Sequence, residues 1–328
     1  MPTAHRIGAT EDNLITILAR YVRATAEQCT RHSYSPNSLR YVRQRLAGLT
    51  AAGFVAKNLG YSQSGKPPFV YSPTMQGWRY AQDRHGMPVP ARWRPGEAQL
   101  TDFRDYLHDL AITDFGIAVE RFCREAGELV TLARFTHDRF LPQITVRLPS
   151  GKQRAMRLDG FVELHIRREA GTKQRCFLVE IDRGTHYEKA IQEKILAQIA
   201  YVEGGHYAAD FNTQSLTYLW VCPGAPERVR RLLKLIEATL REHDATDFAP
   251  LFLFTPEPPA TIDPITLFTS ACWYVPFQTA PVTLLSFAPK GRTVSLTRSR
   301  YLPQGDYERF LTATGDALPH VAAELDMD

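Results

Sequence analysis

Two acidic residues, Glu180 and Asp182, end a run of strand-forming residues in the stretch CFLVEIDRGT, which spans residues 176–185. Residues two apart in a strand share a face, so the two carboxylates are predicted to point to the same side. In the preceding strand candidate, Asp159 interrupts the alternation of apolar residues immediately before a glycine. If these two strands pair antiparallel, three carboxylates converge at neighbouring strand ends.

Converging carboxylates are suited to a hard divalent cation. Mg²⁺ takes oxygen ligands and is usually held by one or two carboxylates together with water and phosphate oxygens. Such an ion activates a water and neutralises the charge that builds on a phosphodiester during hydrolysis. We therefore predict Mg²⁺ or Mn²⁺ at Asp159, Glu180 and Asp182. The alternatives are a turn role for Asp159 and capping, by Glu180 and Asp182, of a helix that starts near Thr185.

These carboxylates need a sheet to hold them, and the middle of the chain has the pattern of one. Periodicity predicts a helix, three strands, a second helix and a fourth strand. The predicted helices are 98–126 and 186–203, and the predicted strands are 129–148 with interruptions, 154–166, 175–182 and 216–222. The order αβββαβ is that of the restriction-endonuclease-like, or PD-(D/E)XK, fold. We predict an α/β domain of this kind over residues 97–255, with residues 256–328 as a C-terminal extension packed on it.

The resemblance to PD-(D/E)XK nucleases implies roles for further residues. In that family the motif is Asp, then Glu or Asp, any residue and Lys, and the lysine positions or deprotonates the attacking water. Here Asp182 stands in the lysine position, but some members carry the lysine on the next helix, where this sequence has Lys194. Gln198 and Tyr201 follow it as in the recombination-exonuclease branch, and Glu120 matches an additional acidic ligand. The implied catalytic residues are Asp159, Glu180, Asp182, Lys194, Glu120 and Gln198. A solvated helix position is the alternative for Lys194.

The first part of the chain predicts three helices and a hairpin. Residues 12–22 have apolar residues at helical spacing, 25–32 begin with the capping-box pair Thr25 and Gln28, and 35–52 begin with Ser-Pro. An alternating segment with a Gly-Lys-Pro-Pro tip follows. Helix, helix, basic helix and hairpin form the order of a winged helix-turn-helix domain, which the sequence resembles over residues 1–92.

The third helix is the predicted DNA-reading element. It is expected to bury a stripe formed by Leu39, Val42, Leu46 and Leu49 and to expose its polar side chains. The predicted groove residues are Asn37, Arg40, Tyr41 and Gln44, and the residues predicted nearer phosphates are Arg43, Arg45, Lys57 and Lys66. The alternatives are a basic face that is only solvated and a winged helix that binds protein.

The charge distribution favours a polyanionic partner. The net charge of +4 is composed of +9 in residues 1–95, from 13 Lys and Arg against 4 Asp and Glu, and −5 in residues 96–328, from 26 against 31. No apolar run reaches the roughly 18 residues of a membrane helix, and the N-terminus lacks the apolar stretch of a signal peptide. A cytoplasmic protein is therefore expected. The five scattered cysteines and the lack of a glycine-rich phosphate loop argue against a zinc site and an NTPase.

Taken together, HDLAITD at residues 108–114, RLDGF and the FLVEIDRGT run resemble the replication-relaxation family of bacterial plasmids and other mobile elements. The resemblance implies a DNA transaction in replication or transfer. The expected partners are double-stranded DNA and other replication or mobilisation proteins, without a membrane, and a homodimer is left open. Two hypotheses follow: a magnesium-dependent DNA endonuclease or nickase, and a catalytically inactive DNA-binding replication accessory or transcriptional regulator with the nuclease fold as a scaffold.

Overall fold

The computed structural model describes residues 6–60, 67–90, 103–148, 150–168, 171–184 and 187–285. These residues form a mixed α/β protein with two compact units, which divide between Glu120 and Arg121. None of the helices in these ranges has the length and hydropathy that crossing a membrane requires.

The first unit consists of helices and a small antiparallel sheet. Its elements are α1 (Ala9–Tyr21), β1 (Ala24–Thr25), α2 (Ala26–Ser33), a 3-10 turn (Pro36–Ser38), α3 (Leu39–Ala51), β2 (Val55–Leu59), β3 (Phe69–Pro73), α4 (Met75–His85) and most of α5 (Phe103–Ala126). In the sheet, β3 lies between β1 and β2 and is antiparallel to both.

Local sequence signals explain where these helices begin. Thr25 accepts the backbone N–H of Gln28, and the Gln28 side chain accepts the N–H of Thr25, so the predicted capping box is confirmed. The Ser-Pro start of the third helix forms a 3-10 turn before α3 begins at Leu39. Val42, Leu46 and Leu49 of the predicted stripe are fully buried. Leu39 is only half-buried, because it lies at the first residue of α3.

The second unit contains a larger mixed sheet and a separate two-stranded sheet. The strands of this unit are β4 (Val130–His137), β5 (Ile144–Arg147), β6 (Gln153–Met156), β7 (Gly160–Arg168), β8 (Gly171–Ile181), β9 (Thr217–Val221) and β10 (Phe252–Thr255). Its helices after α5 are α6 (Glu188–Glu203), α7 (His206–Phe211), α8 (Pro226–Glu242) and α9 (Pro264–Thr269), with 3-10 segments at Gly127–Leu129, Asp138–Phe140 and Thr246–Leu251.

Five strands form the main sheet in the order β10-β9-β8-β7-β4. β4, β7 and β8 pair antiparallel, whereas β9 is parallel to β8 and β10 is parallel to β9. The parallel pair β8 and β9 is connected through α6, since parallel strands require a crossover. One face of the sheet packs on α6 and α8, where Leu178, Tyr218 and Phe252 share a buried apolar cluster with Ile195 and Ile236.

One prediction about these elements is wrong, and others fall outside the described residues. The strand predicted over 154–166 is two strands, because β6 pairs with β5 in a separate two-stranded sheet while β7 joins the main sheet. Alternation alone cannot distinguish one strand from two. The start of the helix predicted at 98, Lys66 and residues 286–328 of the predicted C-terminal extension lie outside the described residues.

Candidate functional site

The ends of two paired strands bring Asp159 beside Glu180. β7 and β8 run antiparallel, with Gly160 opposite Val179. The backbone N–H of Asp159 donates to the carbonyl of Val179 at 3.1 Å. The N–H of Ile181 in turn donates to Oδ2 of Asp159 at 2.7 Å. Asp159 therefore contacts both neighbours of Glu180 in the chain, Val179 through its backbone N–H and Ile181 through its carboxylate.

Glu180 is almost completely buried, with only 1% of its side chain exposed. Both of its carboxylate oxygens contact α6: the Lys194 ammonium forms an ion pair with Oε2, and Nε2 of Gln198 donates to Oε1 at 3.0 Å. Lys194 and Gln198 are four residues apart, so one face of the helix presents both. These contacts rule out the capping role for Glu180, because α6 begins at Glu188 and has Tyr187 at its N-cap without a side-chain cap bond.

Lys194 is held as an ammonium. Burial alone would lower the pKa of Lys194, but the negative charge of Glu180, and then those of Asp159 and Asp182, outweigh burial and raise the pKa above its ordinary value. The ammonium also lies 5.5 Å from the centre of the Trp220 ring. All three predicted acids therefore act on one amine, and Lys194 is better suited to stabilise negative charge than to accept a proton.

Asp182 has a different partner from the other acids. Its side chain is only 2% exposed, and Oδ2 accepts Nε of Arg228 at 2.6 Å. Oδ1 accepts the N–H of Gly184 at 2.9 Å, which closes a turn directly after β8. Arg228 comes from the first turn of α8 and was not anticipated from the sequence, since no local pattern indicates which arginine reaches a strand end. The chain thus has an acid–arginine pair where the nuclease motif has a lysine.

A third strand end adds an acid that the sequence did not single out. His137 ends β4 opposite Gly160, and the backbone N–H of Asp138 donates to the carbonyl of Asp159 at 3.0 Å. Nδ1 of His137 lies 2.5 Å from Oδ1 of Asp138. Burial would raise the pKa of Asp138, but the charge of His137 lowers it, and Asp159 acts in the opposite direction. Asp138 and Asp159 therefore lie within electrostatic reach of each other.

Asp159 and Glu180 are the candidate ligands for a divalent cation. Asp159 and Glu180 supply the carboxylate oxygens that Mg²⁺ and Mn²⁺ prefer, and one or two carboxylates with water are an ordinary magnesium site. Within the described ranges, no three His, Cys, Asp or Glu side chains form a group that could hold one metal ion. An ion held by Asp159, Glu180 and water would therefore require Glu180 to release its contacts to Lys194 and Gln198.

Glu120, the additional acid implied by the nuclease resemblance, is part of the first unit. Its Oε1 accepts Nη1 of Arg20 at 2.6 Å and the hydroxyl of Tyr21 at 2.7 Å, and its Oε2 lies 2.7 Å from Nε2 of His32. Burial would raise the pKa of Glu120, but the hydrogen bond from His32 and the charge of Arg20 lower it to about 2. Glu120 is thus a charged anchor for α1 and α2.

A second candidate surface lies on α3 in the first unit. The six side chains predicted to contact DNA from this segment are all exposed: Asn37, Arg40, Tyr41, Arg43, Gln44 and Arg45. Two of the arginines make ion pairs, Arg43 with the exposed Glu27 at 2.5 Å and Arg45 with the buried Glu11 at 3.0 Å. Lys57 is exposed on β2 with its ammonium 3.7 Å from the centre of the Phe69 ring. The surface is therefore polar and basic.

Other arginines of the basic first third of the chain form ion pairs inside the first unit. The pairs are Arg20–Glu120, Arg23–Asp109 and Arg31–Asp114, and all three acids belong to α5. Counting residues 1–120 gives 14 Lys and Arg against 10 Asp and Glu, a balance of +4, and leaves 25 against 25 in residues 121–328. α5 thus offsets part of the charge of the first third, while the arginines of α3 remain at the surface.

Comparison with known proteins gives one match. A family model described as "Replication-relaxation" matches residues 15–214. No curated protein and no solved structure matches significantly. The matched residues include α3, Asp159, Glu180 and Lys194.

Proposed function

Because the chain belongs to the replication-relaxation family, we propose that it is a DNA-binding protein that acts in the replication or transfer of a plasmid or another mobile element. We further propose that its second unit hydrolyses a phosphodiester bond of that DNA with Mg²⁺ or Mn²⁺. The observation that carries the second proposal is the placement of Asp159 beside Glu180 with Lys194 paired to it.

The first unit supports the assignment of a winged helix-turn-helix. α1, α2 and α3 are followed by the antiparallel pair β2 and β3, which is the element order of that domain. In this proposal α3 enters the major groove, because it carries exposed polar side chains on the faces opposite its buried stripe. Asn37, Arg40, Tyr41 and Gln44 lie toward base edges, and Arg43, Arg45 and Lys57 lie nearer phosphates.

The topology of the second unit supports a PD-(D/E)XK-like fold. Three antiparallel strands, β4, β7 and β8, are followed by α6 and by β9 parallel to β8. The candidate acids lie at the end of β8 and at the start of β7. The first helix of the predicted αβββαβ order corresponds to α5, most of which belongs to the first unit.

Each side chain has an assigned role at this site. Asp159 and Glu180 hold the divalent ion, which when bound activates water and neutralises charge on the phosphodiester. Lys194 remains protonated and orients the attacking water or balances the charge of the phosphate. Gln198 fixes the Glu180 carboxylate through the hydrogen bond to Oε1. Asp182 stays paired with Arg228 and orders the chain after β8.

A noncatalytic DNA-binding protein is the second candidate. Both oxygens of Glu180 already accept protein donors, and Asp182 is neutralised by an arginine. Such a closed network requires no ion, because each charge in it is already compensated. In this case the nuclease-like unit is a scaffold for an initiator accessory or a regulator.

The two candidates are separated by a nicking assay on supercoiled plasmid with Mg²⁺ or Mn²⁺. If the protein is a nuclease, Asp159→Asn and Glu180→Gln abolish the open-circle and linear products while DNA affinity stays close to wild type, because binding comes from the first unit. Lys194→Met should slow cleavage by roughly 10²- to 10⁴-fold, the usual range for a proton-transfer or water-orienting group. Asp247→Asn, which removes an exposed carboxylate of the same unit, should cleave like wild type.

Each variant is purified in parallel, and its folding is checked by circular dichroism. Cleavage that persists unchanged in Asp159→Asn belongs to a contaminant or to another site. A wild-type protein that binds DNA but cleaves none of several forms, including the sequence of its own mobile element, supports the scaffold candidate and refutes the nuclease proposal.

A further inference from the structure

A cleft of about 270 Å³ lies beside the candidate catalytic residues in the second unit. It is lined by residues of β6, α6 and β9 and by the segments before β5 and after β6, and it shares Lys194 with the carboxylate site. Its polar and charged lining residues are Gln143, Arg154, Arg157 and Lys194. The cleft is at the small end of ligand-binding cavities, so it suits a single phosphate or one nucleotide and excludes a duplex.

Trp220 gives the cleft an unsatisfied donor. The side chain lines the cleft and is only 2% exposed, and its Nε1–H is buried without a hydrogen-bond partner. An indole nitrogen is a donor only, so it can be satisfied only by an acceptor atom. A buried donor left without a partner costs roughly 1–3 kcal/mol, which makes such a group in a native structure a sign of a missing partner. A ligand in this cleft can supply that acceptor.

The charge of the lining selects the kind of acceptor. Three of the residues that line the cleft are basic, and none of the described lining residues is acidic. Arg154 is paired with Glu193 and Lys194 with Glu180, whereas Arg157 is exposed at the rim. Basic side chains and an N–H donor match an oxyanion, because charge-assisted hydrogen bonds to phosphate are stronger than neutral ones.

From this geometry we propose that the cleft binds a phosphate group of a nucleic acid strand. The role of the cleft as a substrate subsite rests on the proposed nuclease function, because the cleft and the carboxylate site share Lys194. Phosphate binding in the cleft does not depend on that function. Arg157 and the Trp220 N–H hold the phosphate, Gln143 adds a neutral contact, and the neighbouring phosphodiester is thereby presented to Asp159 and Glu180. The phosphate can be a strand terminus or an internal diester, which share this chemistry.

The test measures ligand binding to the full chain without divalent metal, so that cleavage plays no part. The probes are inorganic phosphate, thymidine 5′-monophosphate, thymidine 3′-monophosphate, the dinucleotide TpT and thymidine. None of them is long enough to bind α3 as duplex DNA would. Titration calorimetry and tryptophan fluorescence report binding. We expect phosphate-bearing probes to bind and thymidine not to bind. Tighter binding of a monophosphate than of TpT identifies a strand terminus, and the reverse order identifies an internal diester.

Two variants test the residues. Arg157→Gln should weaken binding roughly 10- to 100-fold, the effect of losing one charge-assisted hydrogen bond, and Trp220→Phe should weaken it about fivefold by losing a neutral one. Arg167→Gln, which removes an exposed arginine of β7 paired with Glu128, is the matched control and should bind like wild type. Arg157 is exposed, so its variant should fold.

The proposal is overturned if no phosphate-bearing probe binds saturably, or if Arg157→Gln and Trp220→Phe both bind like wild type. The nuclease proposal is judged separately, by the response of plasmid nicking to Asp159→Asn. If the cleft binds no phosphate but the protein still nicks DNA, only the phosphate subsite is refuted. If the protein binds phosphate but does not nick DNA, phosphate binding in the cleft is supported and its role in cleavage is refuted.

Discussion

At the scale of single residues, Glu180 depends on α6 for the compensation of its buried charge. Lys194 supplies the opposite charge and Gln198 a hydrogen bond, so neither carboxylate oxygen is left without a donor. A buried ion pair adds little net stability compared with an apolar pair, but removing one partner leaves an uncompensated charge. The same contacts that position Lys194 for chemistry therefore also make it necessary for the fold.

This dual role gives a prediction about stability. Lys194→Met roughly keeps the length of the side chain and removes its charge, so the buried Glu180 loses the ammonium and keeps the hydrogen bond from Gln198. Loss of one partner of a buried pair costs about 3–5 kcal/mol, and we expect about 3 kcal/mol here because 23% of the lysine side chain is exposed. Urea denaturation at neutral pH measures the change in the free energy of unfolding.

The double variant is the decisive comparison. Lys194→Met with Glu180→Gln should recover most of the loss, because the neutral amide no longer needs a cation and still accepts from Gln198. Lys189→Met, which changes an exposed lysine of the same helix, is the control and should have the stability of wild type. If Lys194→Met alone is as stable as wild type, the charge of Glu180 is compensated in another way.

At the scale of elements, α5 holds the N-terminal helices by charge. Asp109, Asp114 and Glu120 lie five to six residues apart on α5 and pair with Arg23, Arg31 and Arg20. Gln28 of the capping box also donates to the carboxylate of Asp114 at 2.7 Å. The HDLAITD stretch that carries part of the family resemblance therefore contributes Asp109 and Asp114 to the internal structure of the first unit.

Glu120 makes this contribution dependent on pH. Its pKa is lowered from 4.5 to about 2, so the folded state binds the proton less tightly than the unfolded state. The resulting stability is complete above the unfolded pKa and is lost as the pH falls from about 4.5 toward 2. The shift corresponds to about 3 kcal/mol, on the scale of about 1.4 kcal/mol for each pKa unit.

We expect Glu120→Gln to be less stable than wild type at pH 7 and to approach wild-type stability as the pH falls toward 2. Thermal unfolding at intervals between pH 7 and pH 2 measures this difference. Glu125→Gln, which removes another acid of α5 with an exposed i,i+4 partner, should give a nearly constant small difference over the range. A Glu120→Gln curve parallel to that of wild type would contradict the assigned pKa.

At the scale of the whole molecule, the positive charge available to a polyanion is smaller than the sequence total of the first third implies. The acids of α5 offset arginines of α1 and α2, whereas the arginines of α3 are exposed. The Arg43–Glu27 pair is exposed on both sides, so Arg43 can exchange Glu27 for a phosphate at low cost, whereas Arg45 pairs with the buried Glu11. DNA binding is therefore expected to depend on α3.

The corresponding prediction concerns salt dependence. Replacing Arg40, Arg43 and Arg45 together with Ala should remove most of the electrostatic affinity for duplex DNA and lower the slope of log K against log salt by about 0.9 for each lost phosphate contact. The fold should be kept, because all three side chains are exposed, and any loss of stability should come from Glu11, which is buried and loses its partner Arg45. Fluorescence anisotropy at several salt concentrations measures both the affinity and the slope.

The control for this prediction is Arg167→Ala, which removes an exposed arginine from the second unit. Its affinity and salt slope should match those of wild type. Unchanged affinity and slope in the triple variant would refute the assignment of α3 as the DNA-reading helix.

The sequence by itself determined the elements whose signals are local. The capping box of α2, the apolar stripe of α3 and the strand ending in Glu180 and Asp182 were predicted because period and capping depend only on neighbouring residues. The sequence also indicated that Lys194 and Gln198 share one helix face. These features do not require knowledge of what packs against them.

Only the tertiary structure decided which partners meet. Arg228 reaches Asp182 from α8, and Asp138 comes beside Asp159 only through the pairing of β4 with β7. Glu120 was predicted at the carboxylate site, but the structure gives it Arg20 and His32 in its own unit. Charged side chains pair with whichever opposite charge the fold brings near, and that distance depends on strand order and helix packing, which local periodicity does not encode.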